Sequence, residues 1–171
     1  LYLDESGGAN AKHDILMRAG WGLAVFAKPP DSFAQYVHDY EFLGVIYGNL
    51  PGRLQTANRG AIEALGFVVN NFTGEACVLP DSKYLIDNFH RTKLDKIGCP
   101  NADLWYNIFE SMKRNLFVIT LNKVKAHRKI EEAATSWHEA RGWIGNHFAD
   151  IAAGMGAELS EVPVQAVIDV E

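Results

Sequence analysis

Three aspartates, Asp4, Asp81 and Asp150, stand where acidic side chains widely separated in sequence can be brought together. Asp4 and Asp81 each close a short apolar run, and Asp150 lies in a stretch with helical spacing. In an open sheet, groups just beyond the carboxyl ends of neighbouring parallel strands converge. A helix crossing that edge adds a third. Carboxylates gathered this way repel one another unless a cation joins them. Mg²⁺ takes a few carboxylate oxygens together with water and phosphate, and a pair of such ions about 4 Å apart activates a water and stabilises the leaving oxygen of a phosphodiester. The chemistry would be hydrolysis. Taken singly, aspartates at strand ends and helix caps also arise for local reasons, so position alone does not assign them.

The elements that must place these residues are legible in the apolar spacing. Leu1 to Asp4, Trp21 to Ala27 and Phe42 to Tyr47 are short, rich in aliphatic and aromatic residues and separated by Gly, Pro, Asn and Asp. They predict three strands in an antiparallel meander. Past Gly52, Thr56 or Asn58 can cap a helix continuing through Ile62, Leu65 and Val69. Ala76 to Leu79 predicts a strand, Lys83 to His90 and Ala102 to Met112 two helices, Phe117 to Val124 a fifth strand, and Trp143 to Met155 a last helix with Ile144, Phe148, Ile151 and Ala152 on one face. Between them, Lys129 to Ala140 carries Ile130, Ala133, Ala134 and Trp137 at helical spacing. It predicts a small helix packing Trp137 near the site. The tail from Ser160 to Val170 has a strand period broken at Pro163.

The chain has 171 residues, 48% hydrophobic and 22% charged, which suits one globular domain with its own core. A net charge of −5 argues against coating nucleic acid by bulk electrostatics, which needs many cations to release counterions. It leaves room for a local basic site, and Arg128, Lys129 and Arg141 form the most basic edge near Asp150. Cys77 and Cys99 fit neither a disulfide framework nor a zinc spacing. With no apolar run long enough for a bilayer and no basic-then-apolar leader, a soluble intracellular protein, cytoplasmic or nuclear, is expected. The abrupt start at Leu1-Tyr2-Leu3 suggests a monomeric domain belonging to a larger polypeptide.

Six words occur in order: Leu3-Asp4-Glu5-Ser6, Ala19-Gly20-Trp21-Gly22, Gln55-Thr56-Ala57-Asn58-Arg59, Pro80-Asp81-Ser82, Val124-Lys125-Ala126-His127 and Gly145-Asn146-His147-Phe148-Ala149-Asp150. From Leu1 to about Gly156 the chain resembles the ribonuclease H family, especially its eukaryotic and retroelement-type members with a Pro-Gly turn before the Gln-Thr word. The resemblance implies an α/β chain with an RNase H-like fold, a five-stranded mixed sheet with the first three strands antiparallel, flanked by helices, in a domain over 1–158 followed by a C-terminal tail over 159–171. It implies Mg²⁺, with Mn²⁺ as an alternative, held by Asp4, Asp81 and Asp150, and a mobile His127 that helps product leave or moves protons. The implied partner is an RNA–DNA hybrid whose RNA strand is cut internally. Nucleic-acid contacts then fall to Thr56, Asn58, Ser82, Lys83, Lys125 and Asn146.

The pattern breaks at the catalytic position 61. The family's fourth carboxylate, a glutamate two residues after the arginine of the Gln-Thr word, is Ala61 here. Glu63 is a poor substitute, because two helical residues turn the chain by roughly 200°. Glu5 follows Asp4 in a strand, projects to the opposite face and is expected to do no better. A natural loss, an engineered change and a site working with three aspartates all remain open. At Lys83 the chain offers charge without an acceptor where many relatives hydrogen-bond in the minor groove, and a solvated lysine in a first helical turn is the simpler reading. From His90 to Pro100 there is no room for an extra basic helix. Two functions compete: a metal-dependent endonuclease impaired at position 61, and a catalytically inactive nucleic-acid-binding or assembly domain. A DNA nuclease on the same fold ranks below both.

Overall fold

The computed structural model describes residues 1–13, 15–28, 40–91, 98–125, 129, 131 and 136–162. Five strands, β1 (Tyr2–Ser6), β2 (Gly20–Ala27), β3 (Glu41–Asn49), β4 (Glu75–Pro80) and β5 (Val118–Leu121), form one sheet in the order β3-β2-β1-β4-β5. The first three are antiparallel neighbours, whereas β4 joins β1, and β5 joins β4, in parallel. Four helices flank it: α1 (Ala57–Asn71), α2 (Lys83–Phe89), α3 (Ala102–Asn115) and α4 (Trp137–Glu158).

Alternation along β1 and β2 explains the layering. Leu3, Leu23 and Val25 face one side, where they meet Ile62, Leu65 and Val68 of α1 and, beyond them, Trp105 and Ile108 of α3. Tyr2, Ala24 and Phe26 face the other, against Ala149 of α4. Both faces of the central strands are therefore covered, and β2 has no polar residue along its length. Each fully buried large side chain stabilises the fold by about 1.5–3 kcal/mol. The approach of α4 is set by glycine: a Cβ on Gly22 would collide with the backbone of Ala149 and Ala153, and one on Gly145 with the Tyr2 ring. The helix thus lies directly on the strand backbone.

The element order follows the sequence reading, with differences of extent at most element ends, the following three among them. β1 continues past Asp4 to Ser6, because Glu5 and Ser6 still pair with Trp21 and Gly20. β5 stops at Leu121, although the next residues keep hydrogen bonds to β4 and its end, Asn122 N–H to Val78 O and Val124 N–H to Pro80 O, both at 3.0 Å. α4 begins at Trp137 rather than Trp143, since the Ser136 hydroxyl caps it by accepting from the Glu139 N–H at 3.2 Å. The separate helix expected over Lys129 to Ala140 therefore gives way at its C-terminal end to the first turn of α4. Most of its remaining residues lie outside the described set. No described helix is long and apolar enough to cross a membrane.

Candidate active site

Asp4 sits in the middle of the sheet on β1, paired in register with Gly22, and is only 5% exposed. Its Oδ1 accepts from the Glu5 backbone N–H at 2.8 Å, while its Oδ2 is buried with no hydrogen-bond partner. Asp81 follows directly on Pro80, which pairs with Leu3 at the carboxyl end of β4. The parallel β1–β4 pair thus delivers both aspartates to one edge. Glu5 joins them. One carboxylate oxygen each from Asp4, Glu5 and Asp81 lie within 4.8 Å of one another.

Glu5 was expected to project away from Asp4 and to do no better than Glu63, yet it lies beside Asp81. The strand period is obeyed: Asp4 projects toward α4, and Glu5 toward α1, where its Cβ lies 3.6 Å from the place a Cβ on Gly60 would occupy. What the period does not give is distance. Asp81 stands past the end of its strand and is reached from both faces of β1. Ala61, fully buried beside Gly60 in the first turns of α1, leaves the α1 side of the sheet without a carboxylate from the helix, and Glu5 supplies one from the strand.

The electrostatics of the cluster are strained. Burial, then the charge of Asp81, pushes Asp4 up to about 8, with smaller upward contributions from Glu5 and Asp150 against the lowering effect of the Glu5 N–H. Burial and Asp81 likewise push Glu5 up to about 7, offset in part by a hydrogen bond from Ser82. Its Oε2 is buried and unpartnered. Oxygen-only donors, repelling one another and with orphaned lone pairs, fit a hard divalent cation. Among the described residues no cysteine or histidine belongs to the group.

Asp150 is exposed on α4 and outside the tight cluster, yet close enough for its charge to act on Asp4. One turn earlier, Asn146 is 7% exposed with a buried, unpartnered Oδ1. Ser82 caps α2, accepting from Leu85 N–H at 3.4 Å while it bonds Glu5, so this expected nucleic-acid contact is engaged within the site. Thr56 caps α1, accepting from the Arg59 N–H at 3.2 Å, and both Thr56 and Asn58 are exposed. Lys83 is exposed and 4.0 Å from Asp87, one helical turn on. Lys125 is exposed where the chain leaves Pro80. His127 lies outside the described residues, as does the side chain of Trp137.

Two features behind the site were not anticipated. Gln55 ties the β3–α1 connection to the one before β2, its Oε1 accepting from Ala19 N–H at 2.8 Å and its Nε2 donating to Leu50 O at 2.9 Å and Gly52 O at 2.6 Å. Arg59 forks onto Asp103 at 3.0 and 2.6 Å and also reaches Asn101 Oδ1 at 3.2 Å, joining the starts of α1 and α3. Glu63 falls under the influence of Arg59 and Asp103 and is not in the carboxylate cluster.

No protein-family model matches the chain, and no curated protein matches it in sequence. Among solved structures, LC9-RNase H1, described as a type 1 RNase H with the type 2 active-site motif, superposes with a TM-score of 0.62 over 98% of this chain and 82% of its own, at 20% identity. The fold is that of ribonuclease H. On this ribonuclease H fold, Asp4, Glu5 and Asp81 lie at the end of the central parallel strand pair, and α4 carries Asn146 and Asp150 across the same edge.

Proposed function

We propose that this chain is a divalent-metal-dependent endonuclease that cuts the RNA strand of RNA–DNA hybrids, with Asp4, Glu5, Asp81 and Asp150 as its carboxylate set. The observation that carries the reading is the cluster of a buried Asp4 with half-buried Glu5 and Asp81, mutually repelling and holding two orphaned oxygens. Mg²⁺ or Mn²⁺ held there supplies Lewis-acid activation of water and charge stabilisation for phosphodiester hydrolysis. The chain's own contribution is to gather the donors and to hold the substrate. Thr56 and Asn58, at the exposed start of α1, present a hydroxyl, an amide and helix-terminal N–H groups to a backbone phosphate. Lys125 adds a cation where the chain leaves the end of β4, and Asn146 offers an amide oxygen from α4. His127 keeps the role the family resemblance implies, helping product leave or moving protons. Recognition of the RNA strand rests on the Gln55-to-Arg59 and Val124-to-His127 words and on contacts to 2′-hydroxyls.

Glu5 changes the weight of Ala61. A fourth carboxylate has moved from helix to strand, so the position-61 alanine no longer implies a dead site. A labelled RNA–DNA hybrid incubated with Mg²⁺, with Mn²⁺ and with EDTA tests the proposal. Cleavage with either metal and none with chelator is expected. Hybrid left intact but bound equally well with and without metal would leave the binding or assembly domain as the surviving reading.

A further inference from the structure

Exposed apolar side chains gather on one side of the molecule. Of the thirteen large apolar side chains exposed among the described residues, eight lie on β3 or along α4 and its end. Val45 and Tyr47 of β3 pair in register with Ala24 and Gly22, residues that face α4. Phe148, Ile151 and Met155 follow one another at helical spacing on α4, and Leu159 lies just past it. The Phe148 ring stacks on Phe42 of β3 at 4.9 Å, and the backbone of Gly156 abuts the Gly48 carbonyl, so strand and helix make one continuous surface. Monomers rarely leave a large contiguous apolar patch in water.

The same strand is an open edge. β3 ends the sheet, and its outer backbone groups have no strand partner among the described residues. Natural edges are commonly guarded by lysine, proline or a bulge. β3, Glu-Phe-Leu-Gly-Val-Ile-Tyr-Gly-Asn, has neither lysine nor proline, and Glu41 is its single charge. Its irregularity is confined to the Glu41 end, between Phe42 and Gly44, which leaves Gly44 to Asn49 in unbroken register with β2. The tail from Pro163 onward, where the sequence carries a broken strand period, lies outside the described residues.

We propose that this face pairs with a second copy of the chain, β3 against β3 about a two-fold axis, giving a ten-stranded sheet with both α4 helices on one side. The strand is self-complementary. A two-fold axis perpendicular to the sheet makes the two β3 strands antiparallel, and residues directly opposite one another then share a face. Centring the pair on Ile46 keeps the irregular end out of the ladder and sets Val45 opposite Tyr47 of the other copy, twice. Such aromatic and β-branched pairs stabilise sheets. Gly44 meets Gly48, and Glu41 falls beyond the paired run, so no like charges meet. The area suffices: eight side chains, each 36–61% exposed of the roughly 150–200 Å² that large side chains carry, offer on the order of 600 Å² per copy. That reaches the lower end of a stable interface, about 600 Å² per partner, before the strand backbone is counted. The pairing holds whether or not the nuclease reading does.

Sedimentation equilibrium and amide hydrogen exchange on the full chain test it. The expected result is reversible association from 19.0 kDa to twice that mass, tightening with added salt because each copy carries a net charge of −5. V45K/I151K, at two positions exposed in the single chain, is expected to raise the dimer Kd about 100-fold by placing charge in the apolar seam. In an antiparallel ladder, β3 amides point alternately toward β2 and outward, and the outward set is expected to gain protection as protein concentration rises. A chain that stays monomeric up to about 200 µM overturns the proposal, and so does a dimer that V45K/I151K leaves intact. Outward β3 amides whose exchange is indifferent to concentration overturn it too, because the face is then covered within one chain or another surface pairs. That measurement needs no variant and decides the matter should V45K/I151K fail to fold.

Discussion

Two acidic groups flank the start of α1, and the chain treats them in opposite ways. Asp103 is gripped by the Arg59 guanidinium, which holds its carboxyl below the usual range. Asp4, Glu5 and Asp81 face mainly one another, and burial with mutual repulsion holds Asp4 and Glu5 well above it. The same residue types thus form a strut where an arginine meets the carboxylate and a repelling cluster where carboxylates meet one another. The lesson is that carboxylates crowded against one another, rather than carboxylates as such, single out the candidate site.

The comparison breaks most sharply at Glu5. Glu5→Gln keeps the shape, removes one repelling charge and is expected to lower hybrid cleavage by about 10²–10³-fold while raising the melting temperature of metal-free protein. Adding Ala61→Glu to that variant is expected to recover part of the rate, because it returns a carboxylate to the α1 side of the cluster. A rate untouched by Glu5→Gln would remove Glu5 from the site.

A second contrast is in pH. Ionising Asp4 or Glu5 opposes folding without metal, so their penalty is absent below about pH 4, grows as pH rises and is complete above about pH 8. Metal-free stability is expected to fall across that window, and saturating Mg²⁺ to reverse the trend at its upper end through binding to the folded state alone. Asp103 has the opposite sign: its stabilisation is present above the ordinary carboxyl pKa and lost as pH falls through its lowered value. Calorimetry from pH 2 to pH 8, with EDTA and with Mg²⁺, checks both slopes. A metal-free curve that rises toward pH 8 would contradict the strained cluster.

The smallest effect belongs to the strut. Arg59→Ala is expected to cost about 1 kcal/mol in denaturant unfolding, the upper end for a pair with one exposed partner. Cleavage should change several-fold at most, since Arg59 touches no site carboxylate. A loss as large as that of Glu5→Gln would move Arg59 from scaffold to site.

Much of the architecture was legible because both sheet faces are buried and punctuation is strong: the order of strands and helices and the cap at Thr56 follow from apolar spacing and polar stops. The longer α4 was signalled by Ser136 and Glu139, a serine followed three residues later by glutamate, but the expected separate helix obscured it. Asp4 and Asp81 were readable because a parallel strand pair ends at both. Glu5 was not, because a period of two assigns a face and says nothing about how near the end of a neighbouring strand lies. Arg59 and Asp103 are 44 residues apart, and no local pattern announces a pair that only the packing of α1 against α3 creates.

Gly22 gives the site its gauge. It pairs with Asp4 and leaves α4 no room for even a methyl group between helix and strand. The height of Asp150 above Asp4 is therefore set by a hydrogen atom on a residue with no chemistry of its own. A single added carbon there would shift the helix-borne carboxylate while leaving every acidic group in place, separating how far apart the ligands stand from what they are.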